Sequence, residues 1–172
     1  MKVMYFFLPF LFLTGCERET PQPPDPLDLL PLATQTGENT LGFLLDGEPW
    51  TPNRIFQGQY RKSDSAFLVA CENVEFDDEG ENAGQGFSIF THKLAKAGSY
   101  KLSVLPSSRG SFTRLSDGCR YITFDNKPGN LSIDRFDTIS RVISGSFTFM
   151  AISEDNCKDT LSITHGRFDV SF

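Results

Sequence analysis

From Gln35 onward the chain alternates apolar and polar residues with a period of two, in short runs rich in Phe, Ile, Val and Thr that Gly, Asp, Asn and Ser interrupt. That pattern predicts strands, because successive side chains of an extended chain point to opposite faces. The clearest case puts Ile143, Gly145, Phe147, Phe149 and Ala151 on one face and Ser144, Ser146, Thr148 and Met150 on the other. Further strands are predicted near 66–76, 86–92, 100–105, 119–124, 131–136 and 161–172. Residues 41–45, Asp46-Gly47 and Pro49-Trp50 predict a hairpin, since Asp-Gly supplies the positive φ angles of a tight primed turn.

In the last strand Leu161 and Ile163 are odd-numbered while Phe168, Val170 and Phe172 are even. One extra residue at His165-Gly166, a β-bulge, lets both halves face inward, although a smaller Asp or Asn would suit the position better than His165. This strand should pair with 142–152 as a hairpin around 154–159. No segment of helical length carries a sustained 3.6-residue apolar period. The expected fold is all-β: an antiparallel β-sandwich or flattened barrel, built as a single domain from residues 35–172.

The N-terminal end breaks this pattern. Lys2 precedes an apolar run, 3–13, which ends in Leu13-Thr14-Gly15-Cys16. A spanning helix needs about 20 apolar residues, and this run is shorter and broken by Pro9. It reads as a lipoprotein signal peptide, residues 1–15, with lipid accepted by the Cys16 thiol; a non-lipidated signal peptide is the alternative. More than one acyl chain anchors a protein stably where one does not, so the expectation is a protein tethered to a membrane without spanning it. Residues 17–26 are polar and proline-rich, and 16–34 together read as a tether able to hold the domain about 55 Å from the bilayer. Leu27, Leu29, Leu30 and Leu32 are less tether-like and suit packing against the domain or docking elsewhere.

Charge narrows the partners. The formal charge of −6 becomes −7 when Lys2 leaves with the signal peptide, since residues 1–15 contain no acid. Nucleic acid and anionic lipid headgroups call for a basic cluster that this sequence lacks.

Four segments carry a family likeness: 35–43, Asp46-Gly47-Glu48-Pro49-Trp50, Gly145-Ser146-Phe147-Thr148-Phe149, and Ile163-Thr164-His165-Gly166-Arg167-Phe168-Asp169-Val170. They resemble a family of small uncharacterised lipoproteins abundant in Bacteroidota, strongest at both ends of the domain and poorest over 54–118. The resemblance implies a lipoprotein of the bacterial cell envelope, in the outer membrane on its periplasmic or surface face. It transfers no catalytic residue.

Candidate chemistry is sparse. With Cys16 lipidated, Cys71, Cys119 and Cys157 remain, an odd number in an exported chain. Of three pairings, Cys119 with Cys157 is favoured because Cys157 lies in a hairpin loop, leaving Cys71 as a buried free thiol. The absence of a Cys-x-x-Cys pair and of a histidine near a cysteine leaves no redox or metal role for these thiols. Glu75, Asp77, Glu79 and Gly80 fall at positions one, three, five and six of a calcium loop, but Gly86 stands at the twelfth, where a bidentate Glu is required. Asp77 and Glu79 are thus weak metal candidates beside the simpler reading, a solvated hairpin loop, and no cofactor is expected. Trp50, Tyr60, Tyr100 and Tyr121 could form an aromatic platform for a sugar ring or an apolar side chain, or could be core. His165 with Asp169 and a nearby serine is the arrangement a hydrolase would use, without a Gly-x-Ser-x-Gly elbow to support it. The expected function is a membrane-tethered module that binds a glycan or scaffolds an envelope protein; the alternative is an envelope hydrolase.

Overall fold

The computed structural model describes residues 23–55, 58–76, 78–80, 83–103, 108–154, 157 and 159–172. Residues 1–22, with the expected signal peptide and Cys16, lie outside them. Twelve strands follow in order: β1 (Thr40–Leu45), β2 (Glu48–Trp50), β3 (Arg54–Ile55), β4 (Gln59–Arg61), β5 (Ala66–Asn73), β6 (Gln85–Thr91), β7 (Gly98–Leu102), β8 (Ser108–Arg114), β9 (Cys119–Ile122), β10 (Gly129–Asp137), β11 (Val142–Ser153) and β12 (Thr160–Ser171). All the pairings are antiparallel. They form a sandwich and do not close into a barrel.

Sheet I runs β2-β1-β12-β11-β10-β7, and sheet II runs β9-β8-β6-β5, with β3 and β4 both pairing along β5. The two are continuous at one corner, where the last residues of the long β11 leave β10 and pair with β9, Ile152 with Ile122 and Ser153 with Tyr121. The β1–β2 hairpin has the expected Asp-Gly turn, with positive φ at both Asp46 (52°) and Gly47 (94°).

The inward faces follow the period-two pattern. Phe67, Val69 and Cys71 of β5, Phe87 and Ile89 of β6, Ile143, Phe147, Phe149 and Ala151 of β11, and Phe168 and Val170 of β12 are all buried. At the centre Phe43 stacks on Trp50 with ring centroids 4.7 Å apart, and Phe87 stacks on Phe147 at 5.1 Å. Such aromatic pairs add about 0.5–1.5 kcal/mol each beyond the area they bury.

The parity change in β12 is resolved by a bulge. Phe147 pairs with Gly166 and Phe149 with Ile163, so Thr164 and His165 together oppose Thr148. His165 takes the left-handed conformation (φ 52°), and a Cβ on Gly166 would lie 2.3 Å from the Phe147 ring. Glycine is therefore required at 166 by close approach, while the imidazole at 165 is accommodated because it points outward and is exposed.

The stretch expected to be free tether is partly folded. Pro26–Leu29 forms one 3₁₀ turn capped by Asp25, whose carboxylate accepts from the Leu27 N–H at 2.9 Å. Leu30 is buried, Pro31 lies over Gly42, and Arg167 donates to the Leu27 carbonyl at 3.1 Å. Residues 26–36 thus strap across the outer face of sheet I, so the part of the expected tether from Pro26 to Thr34 is docked on the domain. Two of the partners that dock the strap, Arg167 and Asp169, lie more than a hundred residues away in sequence, beyond the reach of any local pattern.

Candidate functional site

The four aromatics singled out from the sequence do not meet. Trp50 is buried in the core and its indole N–H donates to Gln85 Oε1. Tyr121 is fully buried on the inward face of β9, between Arg114 and Asp159; its hydroxyl donates to Asp159 Oδ1 at 2.8 Å and accepts from Arg114. Burial first, and the Asp159 carboxylate second, push its pKa up to about 12. Tyr100 is half-buried against the core with its hydroxyl on the Lys96 carbonyl. Tyr60, edge-on to Phe136 and Phe172 at 5.1 and 5.4 Å, is half-buried on β4. A shared platform is ruled out because alternation sends Trp50 and Tyr121 inward, where large rings fill the space between sheets.

Cys119 and Cys157 form a disulfide, joining β9 of sheet II to the β11–β12 connection of sheet I, and Cys71 is a buried free thiol. Asp77 lies outside the described residues. Glu79 sits in the β5–β6 connection, which closes through a bond from Ala83 N–H to the Glu75 carbonyl. Gly86, the would-be twelfth ligand position, is inside β6 and pairs with Glu72, as an extended strand rather than a loop end. Among the described residues no group of three His, Cys, Asp or Glu could hold a metal ion.

The His165–Asp169 arrangement is not assembled either. Asp169 is 1% exposed and both its carboxylate oxygens face the strap. They accept from Thr34 Oγ1 (2.7 Å) and from the backbone N–H groups of Thr36 (2.9 Å), Gly37 (2.8 and 2.9 Å) and Glu38 (3.3 Å). Burial raises its pKa, but Thr34 and these three N–H donors outweigh it and hold the carboxyl below its usual value. Asp169 is a clamp. His165 lines a shallow groove with Ser146, Gly166 and Arg167, bordered by Leu27, Asp28 and Ala33 of the strap.

The outer face of sheet II carries a different feature. Leu68 and Phe90 are half-buried and directly paired across β5 and β6, with Arg109 of β8 next in the row beyond Phe90. Both apolar side chains stand on the parity opposite to the core positions Phe67 and Ile89, so they face outward. With Gln59, Arg61 and Ala66 they line a cleft of about 280 Å³, which Tyr60 and Phe67 also border. At its rim Phe90 meets His92 edge-on at 4.7 Å, and His92 Nδ1 lies 3.8 Å from Asp64. Asp64 is held by a bidentate pair with Arg61, at 2.8 and 2.6 Å, which keeps its carboxyl below its usual value.

Beyond this cleft the same face continues into a trough floored by small residues, Ala70, Gly86, Ser88 and Ser111, with the two serine hydroxyls bonded at 2.7 Å. An apolar ring flanked by planar, hydrogen-bonding side chains is suited to a ligand with one apolar face and many hydroxyls. The signal for this site was present in the sequence: the unbroken apolar run 66–71 and the pair Ile89-Phe90 violate strict alternation. No family model, no curated protein and no solved structure matches the chain.

Proposed function

We propose that this protein is a lipoprotein of the bacterial cell envelope, anchored in the outer membrane by acyl chains on Cys16, whose sandwich is a glycan-binding module. The anchor rests on the sequence: Lys2, the short apolar run and Leu13-Thr14-Gly15-Cys16. The resemblance of the domain's two ends to small Bacteroidota lipoproteins points the same way. Binding rests on one observation, the outward-facing Phe90 ring beside Gln59, Arg61, Asp64 and His92 on sheet II. The described strap, residues 26–36, lies on the other sheet and does not cover the Phe90 cleft.

Thermal unfolding of the purified mature chain with neutral and uronate-containing oligosaccharides tests the reading. A ligand that binds only the folded state stabilises it by about 2.7 kcal/mol at a hundredfold excess over Kd. A rise in Tm with one saccharide class, abolished by Phe90→Ala, is the expected result; a rise that persists in Phe90→Ala, or none with any saccharide, refutes the assignment. Radiolabelled palmitate tests the anchor: Cys16→Ser should abolish incorporation.

A further inference from the structure

The strap carries three of the most exposed leucines among the described residues: Leu27 is 36% exposed, Leu29 54% and Leu32 80%. Only Leu30 turns inward, and it does so on a segment held down by the Asp169 clamp, by Pro31 over Gly42 and by Arg167 on the Leu27 carbonyl. A flexible tether would have no need to be apolar, and a strap docked for its own sake would turn its leucines under. Between Cys16 and Leu27 the chain can span at most about 40 Å when fully extended. Lipid on Cys16 therefore keeps the strap close to the bilayer surface at high effective concentration, where a weak contact suffices.

The geometry points to Leu27, Leu29 and Leu32, three exposed leucines on one docked strap, as a second membrane contact that enters the interfacial layer of a zwitterionic bilayer beside the acyl chains of Cys16. The inference rests on the lipid anchor proposed above. Acyl chains alone hold the chain to the membrane but leave the domain free to rotate; a second, rigidly placed apolar contact fixes which face looks outward. The acidic balance of the chain excludes attraction to anionic headgroups, so the contact must be apolar. With the strap against the bilayer, sheet I faces the membrane and the Phe90 cleft of sheet II faces away.

The test uses the full lipidated protein in phosphatidylcholine vesicles containing brominated phosphatidylcholine, with tryptophan introduced by Leu32→Trp or, as a control in the β5–β6 connection of sheet II, by Phe76→Trp at a site 69% exposed. Native Trp50 is buried and its emission, measured in the unsubstituted protein, is subtracted. Loss of most of the added emission in Leu32→Trp, with Phe76→Trp unquenched, is the expected result. Vesicle-bound protein with acylated Cys16 but no quenching in Leu32→Trp, or equal quenching at both positions, overturns the patch and leaves the anchor standing. Absence of the acyl mass on Cys16 in the same preparation overturns both.

Discussion

The two outer faces of this sandwich are built from the same kind of alternating strands yet are used in opposite ways. On sheet I the outward positions of β11 and β12 are polar save Met150, with Ser144, Ser146, Arg167 and Asp169 among them, and the chain's own strap closes over part of them. On sheet II the outward positions include Leu68 and Phe90, and the described chain lays nothing comparable across them. The lesson lies in the direction of the mismatch. A buried carboxylate on an outer face demands a cover supplied by the chain itself, whereas an outward aromatic beside charged groups invites one from elsewhere.

The largest blow to this contrast should come from the link between the sheets. Removing the bridge with Cys119→Ser and Cys157→Ser frees a loop closed over a separation of 38 residues and should lower stability by about 4 kcal/mol in the chain-entropy account. Urea unfolding would show it, and both faces should loosen together. Asp169→Asn acts on one face only: it weakens the clamp on Thr34 and on three backbone N–H groups and should cost about 3 kcal/mol. Limited proteolysis should then cut within 26–39 while leaving sheet II protected.

Acid should do the same as that substitution. The Asp169 pKa is depressed in the folded state, so its stabilisation is complete above the unfolded value of about 3.9 and is lost as pH falls through the lower folded value. The urea midpoint should therefore fall below pH 4, and fall less steeply in Asp169→Asn.

Two glycine substitutions sharpen the view of sheet II. A Cβ on Gly110 would meet the Phe149 ring at 2.5 Å, so Gly110→Ala should destabilise by about 1–3 kcal/mol. On Gly86 the nearest atom is Thr113 Cβ at 4.0 Å, so Gly86→Ala should change stability by no more than about 0.5 kcal/mol while narrowing the outer trough. A lost saccharide-induced Tm shift in Gly86→Ala would extend the ligand's footprint beyond the Phe90 cleft.

Much of sheet I could be read from alternation, down to the bulge at His165-Gly166, because its strands carry one large apolar side chain at every second position. Strand β8 escaped that reading for a physical reason. Its sequence Ser-Arg-Gly-Ser-Phe-Thr-Arg brings a single large apolar residue, Phe112, and its central inward position is Gly110, where Phe149 from the facing sheet fills the space instead. The volume that makes β8 a core strand is thus contributed by another strand. The strap was hidden similarly, since Asp169 and Thr34 are 135 positions apart. The aromatics misled for the opposite reason: ring type was visible, but only strand parity tells an inward Tyr121 from an outward Phe90.

Cys71 lends itself to one last reading, in the vocabulary of synthesis. It is 3% exposed on the inward face of β5, and burial pushes its thiol well above the ordinary value, so it stays protonated and out of reach of oxidants. Burial in the core therefore works as a protecting group, masking one of the three thiols that stand beside Cys16 in the sequence. If the core closes before the oxidant acts, two reactive thiols remain and one bridge can form. With Cys16 acylated as proposed, the three thiols left can in this way reach a single covalent isomer.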